Sequence, residues 1–143
     1  MKRYKFSLGS VLRVRKVEED QAIVAFAAAE RARAAAAEDV VRRESAHRAA
    51  LGTDSHATAT AFMAQRERLE RSALAVRESN DSLKAAEAAT IARRAAVAAA
   101  SAAVNALEHL DERRRAEHAL ELQREETIEI DDLVTGRHPR GER

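Results

Sequence analysis

Glu44-x-x-His47 sets a carboxylate and an imidazole one helical turn apart, the spacing used by di-metal carboxylate bundles. Such a site needs a second copy of the pair and two further inward carboxylates, and the chain has one copy. His109 and Glu112 repeat the one-turn spacing; both pairs read as solvated helix face, Glu44 and His47 beside Arg43 and Arg48. His56 falls in a turn, His118 among charges and His138 in the tail. The serines sit in no strand-to-helix elbow, and no glycine-rich phosphate cradle exists. Without cysteine, disulfides and thiolate metal sites are excluded. No catalytic residue, metal site or cofactor is expected, and the chain reads as non-enzymatic.

The composition says which elements carry these side chains. Of 143 residues 34 are alanine, four are aromatic, four are glycine and one is proline. Alanine buries little surface, so a thick core at ~25 cal/mol per Å² is out of reach. The same residues, with Arg, Glu and Leu, favour long helices. Twenty-five basic residues against 24 acidic ones leave a formal charge of +1. The opening Met1-Lys2-Arg3-Tyr4-Lys5 looks like the basic start of a signal peptide, but Arg13, Arg15 and Lys16 break the apolar run that should follow. No apolar stretch reaches the ~18 residues of a membrane span, so a soluble cytoplasmic protein is expected.

Helix one is expected over about 8–51, with Ser7 or Ser10 as cap, and pairs such as Glu38–Arg42, Asp39–Arg43 and Glu44–Arg48 support it. The stretch 52–55, Gly52-Thr53-Asp54-Ser55, is the turn: glycine supplies positive φ, and Thr53, Asp54 or Ser55 caps the next helix. Helix two is expected over about 56–135, a rod of ~120 Å. Gly136 and Pro139 end it, and 136–143 reads as a disordered basic tail.

Phe62, Leu69, Val76, Leu83, Thr90, Val97 and Val104 stand seven apart, which marks a left-handed supercoil seam. The companions three residues on are Gln65, Ser72, Ser79, Ala86, Arg93, Ala100 and Leu107, so the seam is thin. The expected fold is all-α, an antiparallel two-helix coiled-coil hairpin in a single rod, with helix two longer than helix one. Helix one should cover about the first half of helix two. That leaves roughly Ala100–Thr135, with Leu107, Leu110, Leu120, Leu122, Ile128, Ile130, Leu133 and Val134, without a mate in the chain. Such a helix wants another protein surface, through docking or self-association.

Charge is uneven: residues 1–16 carry six cations and no acid, Arg113–Arg115 is a basic block, and Glu125, Glu126, Glu129, Asp131 and Asp132 an acidic one. Without a basic stripe interleaved with aromatics, no nucleic-acid partner is expected. Peripheral membrane association is open, with Tyr4, Phe6, Leu8, Val11 and Leu12 as the apolar side of an amphipathic helix.

Phe6-x-Leu8-x-x-Val11-Leu12-x-x-Arg15-x-x-x-Glu19 resembles the opening of the flagellar FliJ proteins. Leu107-Glu108-x-Leu110-x-Glu112-Arg113, then Glu126 and Asp131-Asp132-Leu133-Val134, resembles that family's closing segment. The resemblance implies a coiled-coil stalk of the flagellar type III export apparatus. Its partners would be the export ATPase ring, the cytoplasmic domain of the export-gate membrane protein, and export chaperones, at the cytoplasmic face of the cell membrane. It places Phe6, Leu8, Val11, Leu12, Arg15, Leu107, Leu110, Glu126, Asp131, Asp132 and Leu133 at the ATPase-facing end, and the gate contact near Phe62 and Leu69. The equivalent stalk of a related type III secretion system, or a self-associating structural coiled coil, is the alternative.

Overall fold

The computed structural model describes residues 4–52 and 58–136, the side chains of Asp132, Val134 and Thr135 excepted. The turn residues Thr53, Asp54 and Ser55, and the tail 137–143, lie outside the described residues. Two helices make up the fold: α1, Gly9–Leu51, and α2, Ala59–Gly136. The all-α hairpin with a longer second helix, expected from composition and periodicity, is what this chain forms.

Local chemistry sets the helix ends. The Gly9 amide donates to the Phe6 carbonyl at 3.3 Å and the Leu12 amide to Leu8 at 2.9 Å, so α1 starts from a turn at Ser7–Leu8. At its other end the Gly52 amide donates to Ala49 at 3.3 Å, a tightened last turn. Gly52 does not take the positive φ expected of it, as no described glycine does. A Cβ there would meet only the Ala49 carbonyl oxygen, at an ordinary 3.7 Å. Thr58 caps α2: its hydroxyl accepts from the Ala61 amide at 3.2 Å, and its carbonyl accepts the first helical bond from Phe62 at 3.0 Å. The cap thus stands later in the chain than the three candidates read from the sequence. On the α1 surface Asp39 accepts from both Arg42 and Arg43, so Arg42 pairs one turn back with Asp39 rather than with Glu38. Those two hydrogen bonds, Arg43's first, hold the Asp39 carboxyl below its ordinary pKa.

The chain divides into two compact units, Glu18–Ala100 and Met1–Val17 with Ser101–Arg143. In the first, α1 and α2 pair antiparallel: Gln65 Nε2 donates to the Ala50 carbonyl (2.6 Å), His47 Nδ1 lies 2.7 Å from Ser72 Oγ, and Thr90 Oγ1 lies 3.4 Å from the Ala29 carbonyl. The seven-residue rows are the inward ones. Gln65, Ser79 and Thr90 are buried, Leu69, Val76, Leu83 and Val97 are half-buried, and Phe62 and Arg93 are exposed. Ser72, Ala86 and Ala100 on the companion row are half-buried, so burial along the seam does not follow side-chain size alone. Ser72, Ser79 and Thr90 donate to the carbonyls of Leu69, Val76 and Ala86 on their own helix. Each hydroxyl thus has a partner on its own helix, and Ser72 and Thr90 add the contacts with His47 and Ala29 on α1. Among the described residues no buried side-chain polar atom lacks a partner.

In the second unit Lys16 Nζ meets Glu108 Oε1 at 2.6 Å and Tyr4 meets Asp111 at 2.7 Å, again antiparallel. Val104, 4% exposed, is the most buried apolar side chain there. This corrects the expectation that α2 has no mate beyond Ala100: residues 4–17 lie along it as far as Glu121. Part of that reach is helical, since Lys16 within α1 already meets Glu108, and the non-helical residues 4–8 continue along α2 to the cleft that Glu121 helps to line. Beyond Glu121 the large side chains Ile128, Ile130 and Leu133 are 59–69% exposed, and Leu122 is half-buried.

Candidate functional site

The unit holding Met1–Val17 and Ser101–Arg143 contains every residue that the resemblance assigns to the ATPase-facing end. They fall into two groups. Phe6, Leu12, Leu107 and Leu110 are half-buried, packed inside the unit. Leu8, Val11, Arg15, Glu126, Asp131 and Leu133 are exposed, with Leu133 the most open at 69%. The side chain of Asp132 lies outside the described residues.

Four residues not singled out as a group by the sequence tie this unit together. Tyr4 Oη donates to Asp111 Oδ1 at 2.7 Å. The same carboxylate accepts from Arg115 Nη2 at 2.7 Å through its other oxygen. The Arg115 guanidinium lies 5.8 Å over the Tyr4 ring, within cation–π range, and the His118 ring sits tilted at 5.7 Å from it. Desolvation against α2, then the hydrogen bond and negative charge of Asp111, raise the Tyr4 phenol above its ordinary pKa, while Arg115 and Arg114 oppose. The Tyr4 hydrogen bond and then Arg115 lower Asp111, against its desolvation. Asp111 in turn raises Arg115. The only signal in the sequence was the Asp111–Arg115 pair, acidic before basic at i,i+4.

Tyr4, Phe6 and Leu8 line one side of an open cleft of about 420 Å³, with Leu110, His118 and Glu121 opposite. Two readings from the sequence change here. Tyr4 and Phe6 precede α1, and with Leu12 they turn toward α2, so the apolar side of a membrane-lying helix is not assembled. The basic block is largely neutralised on its own helix, Arg113 and Arg114 near Glu117 (3.8 and 3.9 Å) and Arg115 on Asp111.

In the other unit, Leu51, Phe62 and Met63 are each more than half exposed, while Leu69 is half-buried in the seam. His47 is bonded to Ser72 rather than aimed at an ion, and His109 Nδ1 lies 3.3 Å from Glu112 Oε2 at the surface. Among the described residues no group of three or more His, Asp or Glu is placed to hold a metal. What the arrangement offers chemically is apolar and acidic surface on a stiff helix.

No curated protein and no solved structure matches the chain. A family does: the model described as "Flagellar FliJ protein" matches residues 4–143, both quoted motifs and everything between them. With a longer second helix whose apolar end is exposed, the chain belongs to the FliJ family of flagellar proteins.

Proposed function

We propose that the chain is a non-enzymatic stalk of the flagellar type III export apparatus. Its terminal unit enters the ring of the export ATPase, and the protein links that ring to the cytoplasmic domain of the export gate and to export chaperones. The protein is held peripherally at the cytoplasmic face of the cell membrane. No helix among the described residues is long and apolar enough to cross a membrane, which fits a peripheral place. The observation that carries the proposal is the exposed apolar end of α2, Ile128, Ile130 and Leu133, within a chain matched along 4–143 by the family. Acidic Glu125, Glu126, Glu129 and Asp131 surround it, so the complementary socket is apolar with a basic rim. The gate contact is assigned to the start of α2, with Phe62 on its open surface and Leu69 half-buried in the seam beside it.

Leu133→Asp is the test. Leu133 is 69% exposed, so the change leaves the fold intact but places a charge where an apolar anchor enters a socket. Losing such an anchor costs ~2 kcal/mol or more, or about 30-fold in affinity. The measurement is titration of the purified chain against the export ATPase, with helicity followed by circular dichroism and self-association by sedimentation. Unchanged affinity, or a stable dimer of the chain alone, overturns the proposal. Leu110→Asp is a poorer probe, because Leu110 is half-buried and the charge would disturb the unit itself.

A further inference from the structure

Residues Tyr4–Leu8 run along α2 before α1 begins, and a hydrogen bond from the Tyr4 side chain ties their N-terminal side down. Their other end is fixed to the first turn of α1 by the Gly9–Phe6 and Leu12–Leu8 backbone bonds. Leu110 is half-buried and lines the same cleft as Tyr4, Phe6 and Leu8. We propose that Tyr4–Leu8 is a strap, closed by the hydrogen bond from Tyr4 to Asp111, that covers Leu110 and must lift before another protein's apolar side chain can reach it.

The way the strap is fastened suits a device that opens. Asp111 accepts from Tyr4 and from Arg115 at once, both at 2.7 Å. When the strap lifts, the carboxylate keeps its Arg115 partner on the same helix and no charge is left unpaired. The Tyr4 hydroxyl passes to water. What is exchanged is apolar cover: Phe6 and Leu8 leave the cleft, and Leu110 becomes available. Opening therefore needs a partner whose apolar surface replaces that cover, and polar solutes alone do not drive it.

The covering claim is independent of which protein docks; only its effect on ring affinity rests on the stalk proposal. The chain has no cysteine, so Leu110→Cys introduces the sole thiol. Its labelling by a maleimide is timed in full-length chain with Tyr4 and with Tyr4→Phe, which keeps the ring and loses the hydroxyl. Ala116→Cys, at an exposed position, reports intrinsic reactivity. Tyr4→Phe is expected to speed labelling at position 110 by about fivefold or more, the loss of one charge-assisted bond, and to leave 116 unchanged. Equal rates at 110 overturn the strap. Should the substitution at 110 disturb the unit, amide exchange of residues 5–12, measured without any cysteine, decides instead: Tyr4→Phe is expected to speed it, and unchanged exchange overturns the strap. With the export ATPase added, Tyr4→Phe is expected to bind more tightly. Weaker or equal binding means the strap is not an inhibitory cover. If labelling responds but neither chain binds the ATPase, the strap stands and the ATPase assignment falls.

Discussion

One substitution type, Val→Ala, is expected to have different outcomes at two sites in the same unit, because burial alone distinguishes them. Val104 is 4% exposed and Val14 is 58% exposed. Truncation removes two carbons, worth ~1.6 kcal/mol when fully buried at ~0.8 kcal/mol per methylene. A residual cavity adds to that cost, up to ~1 kcal/mol where neighbours relax little. Alanine returns ~0.5 kcal/mol through its better helix propensity. The net is a loss of ~1–2 kcal/mol for Val104→Ala. At Val14 less than half of the transfer term applies and propensity offsets it, so Val14→Ala stays within ~0.5 kcal/mol of the parent. Urea unfolding followed by circular dichroism reads the difference. With m of ~2 kcal/mol per M, Val104→Ala lowers the midpoint by roughly 0.5–1 M and Val14→Ala hardly moves it. Equal losses at both sites, or none at Val104, would refute the claim that the seven-residue row is where the apolar stabilisation lies.

Two further outcomes concern hydrogen bonds. The Tyr4 phenol is raised, so its contribution is present below its ordinary pKa and lost as pH climbs through the folded-state value; Asp111 is lowered, so its contribution is present above its ordinary value and lost as pH falls through the depressed one. Spectrophotometric titration of the chain's single tyrosine is expected to show the alkaline limb above ordinary tyrosine, and Asp111→Ala to return it toward the ordinary value; an unshifted titration in the parent contradicts the contact. Gln65→Leu removes the 2.6 Å bond to the Ala50 carbonyl but adds apolar surface at a position 8% exposed. Stability is expected to hold within ~1 kcal/mol. Register between the helices should loosen, read as broadened spin-label distances between α1 and α2; an unbroadened distribution shows that the bond does not set register.

How much of this was legible in the sequence follows from which features are periodic. The Phe62–Val104 row is a repeating pattern, and a repeat specifies both helix and inward face, so the hairpin was readable. That Gln65 and Ser79 would be more buried than Leu69 was not, because period gives direction while depth depends on side-chain size and helix separation. The α2 cap at Thr58 was missed because Thr53, Asp54 and Ser55 carry the same capping chemistry and come first. Tyr4 is the clearest failure. A short non-helical segment has no period, and a lone aromatic among cations reads as a membrane anchor until its hydroxyl is seen on Asp111. The candidate end was located by its motifs, but Phe6, Leu12, Leu107 and Leu110 turn inward, and residue type alone cannot distinguish packing within the unit from contact outside it.

The distribution of apolar residues explains why folding and docking are separable here. Among the described residues only Val40 and Val104 count as buried apolar side chains, whereas sixteen large ones are exposed, from Leu8 to Leu133. Leu74 and Ile91 fall off the inward rows of α2 and stand exposed, as do Val24 and Val41 on α1. Helicity then rests on alanine-rich propensity and on i,i+3 and i,i+4 ion pairs such as Arg43–Asp39 and Arg66–Glu70, none of which involves those outer side chains. An exposed apolar residue can therefore be replaced with little effect on the helix that carries it. A loss of binding on such a change would report the proposed docking surface itself, so Leu133 tests that proposal and Val104 the fold.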